Sequence, residues 1–380
     1  MSIQPFRIAI PDADLADLRE RLLRTRPAPA IEDQGWSQGI EPAFLQDLLR
    51  YWADGFDWRA QEARLNRLPQ FMAQVGDQAI HFVHRQGTGP APLPLVLTHG
   101  WPGSFIEMER ILPLLADPGA HGGDPVDAFH VVVPSLPGYA FSPAPRRKGV
   151  GTYATAALWA DLMAQLGYDR FGAQGGDLGA SVTSWLGLRF PERIVGMHLN
   201  YIPTSFKPPL GEGQPELTPE EKDFQKRQSD WKEKEGAYRS MHATKPTTAA
   251  SGLNDSPAGL AAWIAEKVHA WTQDFDKSIS FDTLLTDISL YWFTQQIGPS
   301  FQMYVEEQAR PFAPQERVQP PLGVAVFPAE IPMPPRSWPE RSYDVRRWTP
   351  MPSGGHFAAL EEPQLLAEDI RAFFRPLRGA

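Results

Sequence analysis

The sequence contains no cysteine. That excludes disulfides, thiolate metal sites and a cysteine nucleophile, and it fits a reducing compartment. No stretch reaches the roughly 18 apolar residues of a membrane-spanning helix. The first twenty residues include Asp12, Asp14, Asp17 and Glu20 and lack a continuous apolar run, so they do not read as a signal peptide. A cytoplasmic protein without a membrane anchor is the expectation. A basic surplus is also missing. The net charge of -9 leaves no electrostatic footprint for nucleic acid. There is no internal repeat and no low-complexity tract. What is present is 380 residues with a hydrophobic fraction of 42% and a charged fraction of 21%, which suits an α/β core with insertions. The 12 tryptophans point to aromatic-lined pockets as well as core.

Residues 1–78 read as an N-terminal helical arm that packs on core and cap. Asp12 or Asp14 is placed to cap a helix with Leu15, Leu18, Leu22 and Leu23 at helical spacing. Residues 40–56 form a second amphipathic pattern, and residues 58–75 a third, with Leu65, Leu68 and Phe71. From residue 79 the period becomes that of strands. Residues 80–84 alternate; His81 and His84 lack a third metal ligand nearby and read as packing groups. Residues 93–98 look like a buried strand, followed by His99-Gly100-Trp101-Pro102-Gly103-Ser104 and a helix over 105–115. Further strands are expected at 129–134 and 194–199, with a helix over 152–166 capped by Thr152.

Alternating strands and helices imply a mostly parallel, doubly wound sheet over 79–200, with active groups at the carboxyl ends of strands. Residues 201–318 break the alternation and read as an inserted helical cap, with helices near 222–237, 259–271, 280–293 and 300–309. The sheet resumes over 319–380, with strands at 323–327 and 345–348 and a closing helix from Glu362-Pro363 to Phe374.

The chemistry centres on Gln174-Gly175-Gly176-Asp177-Leu178-Gly179. A strand, a glycine-flanked polar residue and a helix make a nucleophile elbow, with Asp177 where serine hydrolases carry serine. A carboxylate is already ionised at neutral pH, so it attacks carbon directly and forms an alkyl ester. The order Asp177, an acid, then His356 is that of triad members on α/β-hydrolase folds. His356 follows the last strand, and its task is to take a proton from water. Glu330, after strand 323–327, is the carboxylate chosen to steady it; Asp344 and Glu340 are its rivals. In this fold the oxyanion is met by the N–H after the nucleophile, here Leu178, and by one from the first loop, here Trp101. Pro102 stiffens that loop, and a cis Trp101–Pro102 bond fits it. Tyrosines in the cap are suited to hold and protonate a leaving oxygen, because a phenol keeps its proton at neutral pH; composition does not say which.

These residues resemble the epoxide hydrolases of the microsomal and juvenile-hormone type, almost end to end. The resemblance rests on His99-Gly100-Trp101-Pro102-Gly103-Ser104, Gly175-Gly176-Asp177-Leu178-Gly179, His242-Ala243-Thr244-Lys245-Pro246, Leu253-Asn254-Asp255-Ser256-Pro257 and Gly354-Gly355-His356-Phe357. It implies an α/β-hydrolase fold and hydrolysis of an epoxide to a vicinal diol without metal or organic cofactor. Asp177 would be the nucleophile, His356 the base and Glu330 the charge-relay acid. Tyr238, eight residues ahead of Pro246, and Tyr304, in Phe301-Gln302-Met303-Tyr304, match the lid tyrosines; with Trp101 they would bind substrate. Leu178 stands where family members often have tryptophan, which alters the pocket wall but keeps the N–H. The anchoring segment of the microsomal members is not matched. A haloalkane or haloacid dehalogenase is the nearest alternative, using the same Asp–His chemistry with halide donors in place of phenols. A non-catalytic binding protein on this fold would have lost a triad member, and none is lost. The partner is a small epoxide, and a homodimer is the base-rate assembly.

Overall fold

The computed structural model describes residues 3–31, 33–314 and 316–379. One nine-stranded sheet runs through it: β1 (Gln4–Pro5), β2 (Gln70–Val75), β3 (Gln78–Arg85), β4 (Leu93–Thr98), β5 (Phe129–Pro134), β6 (Phe171–Gly175), β7 (Ile194–Leu199), β8 (Val318–Val326) and β9 (Tyr343–Pro350). The spatial order is β1-β2-β3-β5-β4-β6-β7-β8-β9. From β5 to β9 every neighbouring pair is parallel, whereas β1, β2 and β3 join antiparallel. β4, β6 and β7 lie inside the sheet and are largely buried. That is why they read as continuous apolar runs rather than alternating ones.

The N-terminal region departs from the expected all-helical arm. Helices Asp12–Leu23, Pro42–Asp54 and Trp58–Leu65 are present. The third stops at Leu65, and residues 70–75 form β2, paired with β3 from Gln70↔Val83 to Val75↔Gln78. The expected boundary at 78/79 therefore falls inside a β-hairpin. No side-chain cap closes the first helix, whose N-cap is Pro11, and Asp12 instead pairs with Arg59. Thr152 likewise begins its helix rather than capping it; the cap position is Gly151. Residues 105–115 hold a short 3-10 turn, Phe105–Met108, and a helix Leu112–Ala116 in place of one helix.

Between β7 and β8 lies the helical cap. Its helices are Pro219–Glu235, Ala237–Thr244, Pro246–Leu253, Pro257–Trp271, Phe275–Ser278, Phe281–Thr294 and Ile297–Ala309. The N-terminal region is pinned to this cap. Trp52 Nε1 donates to Ser289 Oγ at 3.1 Å, Tyr51 donates to Asp282 at 2.8 Å, and Trp36 stacks on His269 at 3.6 Å. Among the described residues no helix is long and apolar enough to cross a membrane.

Candidate active site

The elbow forms between β6 and the helix Asp177–Arg189. Asp177 has a φ of 45°, in the left-handed region that costs a non-glycine residue of order 1 kcal/mol or more. The flanking glycines make the turn feasible. A Cβ on Gly175 would lie 2.2 Å from the Gly179 carbonyl oxygen, and one on Gly179 would lie 2.0 Å from that of Thr98. The strained turn lifts the carboxylate clear of the helix and against the loop after β4.

That loop supplies the donors. The N–H of Trp101 donates to Asp177 Oδ1 at 2.9 Å, and that of Leu178 bonds the same carboxylate. Trp101–Pro102 is cis. Burial alone would raise the Asp177 carboxyl, but His356 and these two amides outweigh it and hold it below its ordinary value. His99 accepts from the Leu136 N–H and bonds the Gly100 carbonyl at 3.1 Å. Burial lowers it to about 4, so it is a neutral brace for the loop. His81, bonded to Ser135 and Gln70 and lowered to about 3 by burial, is likewise structural. No cluster of three or more potential metal ligands occurs among the described residues.

His356 follows β9 in a loop tied to the loop after β8. Ala329 bridges Gly355, and the Ala329 N–H donates to Gly354 at 3.1 Å. This stitch brings Glu330 beneath the imidazole: Nδ1 lies 2.5 Å from Glu330 Oε1, and Nε2 lies 3.5 Å from Asp177 Oδ2. The Ile331 N–H also bonds Glu330 Oε1, at 2.8 Å. The rivals are engaged elsewhere, Asp344 with Arg346 and Glu340 with Arg336. Burial opposes a charge on His356, but the two flanking carboxylates win, so its proton is held well above the usual imidazole range.

The two cap tyrosines meet over Trp101. Tyr238, on helix Ala237–Thr244, stacks on the Trp101 ring at 5.2 Å; Tyr304, on helix Ile297–Ala309, meets it edge-on at 6.1 Å. Their own ring centres are 6.0 Å apart. Both are buried, and burial together with the Asp177 charge pushes both phenols well above their usual value. The Tyr304 hydroxyl is fully covered and lies beside that of Tyr238, its hydrogen-bonding neighbour.

Three neighbours were not legible in advance. Trp271 accepts the His356 N–H through its carbonyl at 2.9 Å and packs its ring 5.1 Å away. His242 stacks on Phe301 at 3.6 Å, and its ring centre is 4.9 Å from that of Tyr304. Glu107 folds over Gly103, where a Cβ would lie 1.6 Å from its Oε1. It lines, with Asp177, His356, Gly100 and Asn200, a cavity leaving about 20 Å³ for the centre of a water-sized sphere. About one water needs ~10–15 Å³ by that measure. Burial and the nearby Asp287 push Glu107 well above the usual carboxylate range. Only its place four residues after Gly103 hinted at this.

Residues 3–108 match the family described as "Epoxide hydrolase N terminus", and residues 94–277 match "alpha/beta hydrolase fold". A protein of Stigmatella aurantiaca (strain DW4/3-1) assigned as an epoxide hydrolase is 42% identical, covering 99% of this chain and 86% of its own. Epoxide hydrolase 1 of Oryctolagus cuniculus is 37% identical over 98% of this chain and 88% of its own. Among solved structures, the Aspergillus niger epoxide hydrolase superposes with a TM-score of 0.87 at 33% identity, over 99% of this chain and 97% of that one. The juvenile hormone epoxide hydrolase of Bombyx mori gives 0.85 at 30% identity, over 100% and 94%.

Proposed function

This chain belongs to the epoxide hydrolases of the microsomal and juvenile-hormone type, which act through an ester on an aspartate, and from that premise we propose that Asp177 is the nucleophile. Oδ2 attacks the less hindered epoxide carbon, the ring C–O bond breaks, and Tyr238 or Tyr304 gives its proton to the departing oxygen. The product of this step is a hydroxyalkyl ester on Asp177.

His356, steadied by Glu330, then takes a proton from water. The resulting hydroxide adds to Asp177 Cγ, and the negative charge gathers on Oδ1 between the Trp101 and Leu178 amides. The intermediate collapses as the diol leaves with Oδ2, protonated by the imidazolium; the oxygen of water replaces Oδ2. The second proton of that water, lost from the new carboxyl, restores the phenol. The cavity between Glu107, His356 and Asp177 is the proposed seat of the water.

The observation that carries this reading is the division of labour within one carboxylate. Oδ1 faces the Trp101 amide at 2.9 Å while Oδ2 faces His356 at 3.5 Å. One oxygen is already in the oxyanion site, and the other is free to attack. A cytoplasmic setting with a small epoxide as partner belongs to the same proposal, supported by the absence of cysteine and the acidic charge.

A single turnover of styrene oxide in heavy-oxygen water tests it. The first diol should carry unlabelled oxygen at both positions, and the label should appear in the peptide holding Asp177. Intact mass of an acid-quenched His356→Gln variant should show one added epoxide on that peptide. Label in the first diol with no adduct would sink the assignment, as would full turnover by Asp177→Asn once deamidation is excluded.

A further inference from the structure

Opening the epoxide moves a negative charge. The Asp177 carboxylate becomes a neutral ester, and a phenol that has given its proton to the epoxide oxygen becomes a phenolate. His356, between Asp177 and Glu330, serves the charge where it starts. Both phenols are buried, and burial opposes the charge where it arrives. A cation close to the phenols offsets that cost most once the charge has moved, which is the condition for lowering a barrier.

Arg239 meets that condition. It follows Tyr238 directly on the helix Ala237–Thr244, and its Cζ lies 5.8 Å from the centre of the Tyr304 ring. It donates through Nη2 to Glu307 Oε2 at 2.9 Å and through Nη1 to Thr204 Oγ1 at 3.2 Å. Glu307 lies three residues after Tyr304 on the helix Ile297–Ala309, so the ion pair ties together the two helices that carry the phenols. The pair is not neutral toward them. Ser181 and Ser205 donate to Glu307 Oε1 at 2.7 and 3.0 Å and spread its charge. The guanidinium, by contrast, draws Tyr238, Tyr304 and Tyr201 down against burial. Two other basic groups stand close. His242, whose ring centre is 4.9 Å from that of Tyr304 and 5.5 Å from that of Tyr238, is held well below the usual imidazole range by burial and by Arg239 itself. Lys267 Nζ lies 5.4 Å from the Tyr238 ring centre but is shared between Glu235 at 2.9 Å and Glu266 at 3.0 Å.

We propose that Arg239 is a positioning residue for the epoxide-opening step, its guanidinium stabilising the negative charge that passes from Asp177 to a phenol. As the bond from Asp177 Oδ2 to carbon forms and the ring C–O bond breaks, the phenol proton goes to the departing oxygen. The electron pair left on the phenol lies in the field of Arg239. This rests on the reading that Tyr238 or Tyr304 is the proton donor. Glu307 holds Arg239 in place but opposes the same charge, so the two members of one ion pair act on the step with opposite signs.

Two variants break the same ion pair and tell its roles apart. Arg239→Gln removes the cation and should slow alkylation by styrene oxide about tenfold, with hydrolysis of the ester nearly unchanged. Glu307→Gln removes the anion and should alkylate at least as fast as wild type, although its melting temperature also falls. Arg239→Lys, which keeps the charge, should recover most of the rate. Rapid quenching with intact mass reads both steps. Should Arg239→Gln fail to fold, Arg239→Gln with Glu307→Gln leaves no buried charge unpaired and should still alkylate more slowly than wild type. Equal slowing by Arg239→Gln and Glu307→Gln, or a double variant at the wild-type rate, would overturn the proposal and leave a purely structural pair. Tyr238→Phe and Tyr304→Phe keep the two readings apart. If either slows alkylation while the pair variants act alike, only the Arg239 proposal fails; if neither does, the phenol reading fails and takes this one with it.

Discussion

Nε2 of His356 lies 3.5 Å from Oδ2 of Asp177, while Nδ1 is held 2.5 Å from Glu330 Oε1. The imidazole thus sits between two carboxylates in the resting enzyme, and this raises its pKa. Forming the ester removes one of those charges, so the base becomes easier to deprotonate at the step that needs it neutral.

His356 should therefore titrate well above 6.5 in the resting enzyme and lower in Asp177→Asn, which keeps the shape and drops the charge. Imidazole NMR across pH reads this directly, and equal values in the two proteins would refute it. The same shift is a stability statement. The folded state binds this proton more tightly than the unfolded chain, whose value is about 6.5. The stabilisation is complete below that pH and is lost as pH rises through the folded value.

Glu330→Gln should slow release of the ester by about 10²- to 10⁴-fold and leave its formation nearly unchanged. In the proposed mechanism Glu330 acts on the alkyl ester only through His356, whose positive charge it stabilises during hydrolysis of the ester. Rapid quenching with intact mass should show the ester accumulating. A loss of the alkylation burst instead would mean that Glu330 mainly shapes Asp177.

Tyr304→Phe separates the two phenols. The Tyr304 hydroxyl is buried beside that of Tyr238, so the variant keeps one proton donor over Asp177. Alkylation should slow about 10²-fold, since one phenol remains. Burst kinetics beside calorimetry would check it: an unchanged burst at an unchanged melting temperature would remove Tyr304 from the chemistry.

The elbow was legible because its backbone allows only certain residues: Gly175 and Gly179 are dictated by contacts within a few residues and one neighbouring strand. Glu330 was legible as a carboxylate after a strand, but the stitch from Ala329 to Gly355 that brings it to His356 is a long-range bridge. β2 was misread because Leu65, Leu68 and Phe71 fall at spacing of three. Pairing with β3 overrides that local pattern, and Pro69 precedes the change. Tyr238 and Tyr304 look like packing residues on amphipathic helices. Only the resemblance singled them out, because their meeting depends on how two cap helices cross.

Gly179→Ala should damage the elbow more than any change in the cap. The new methyl would lie 2.0 Å from the Thr98 carbonyl oxygen, a backbone atom of β4 that cannot swing aside. Overpacking of this kind costs about 1–3 kcal/mol, and relief would have to come from shifting the turn that aims Asp177. A drop in melting temperature with loss of the alkylation burst is expected. Retention of the burst at wild-type rate would show that the turn tolerates more adjustment than its contacts imply.

Glu107 offers the sharpest distinction, because its two plausible roles respond differently to one atom. Burial and Asp287 raise its pKa well above the usual carboxylate range, which favours the neutral acid at the water cavity. Glutamine is its neutral isostere. Glu107→Gln should then release the ester at close to the wild-type rate, whereas Glu107→Ala, which leaves the water without that wall, should slow release about tenfold or more. If glutamine is as damaging as alanine, the working form is the carboxylate. Stability gives an independent reading. The folded protein holds this proton more tightly than the unfolded chain, whose value is about 4.3, so stability falls as pH rises from there through the folded value. Glu107→Gln abolishes that loss, and its melting temperature should exceed wild type at pH about 8 and converge with it in acid.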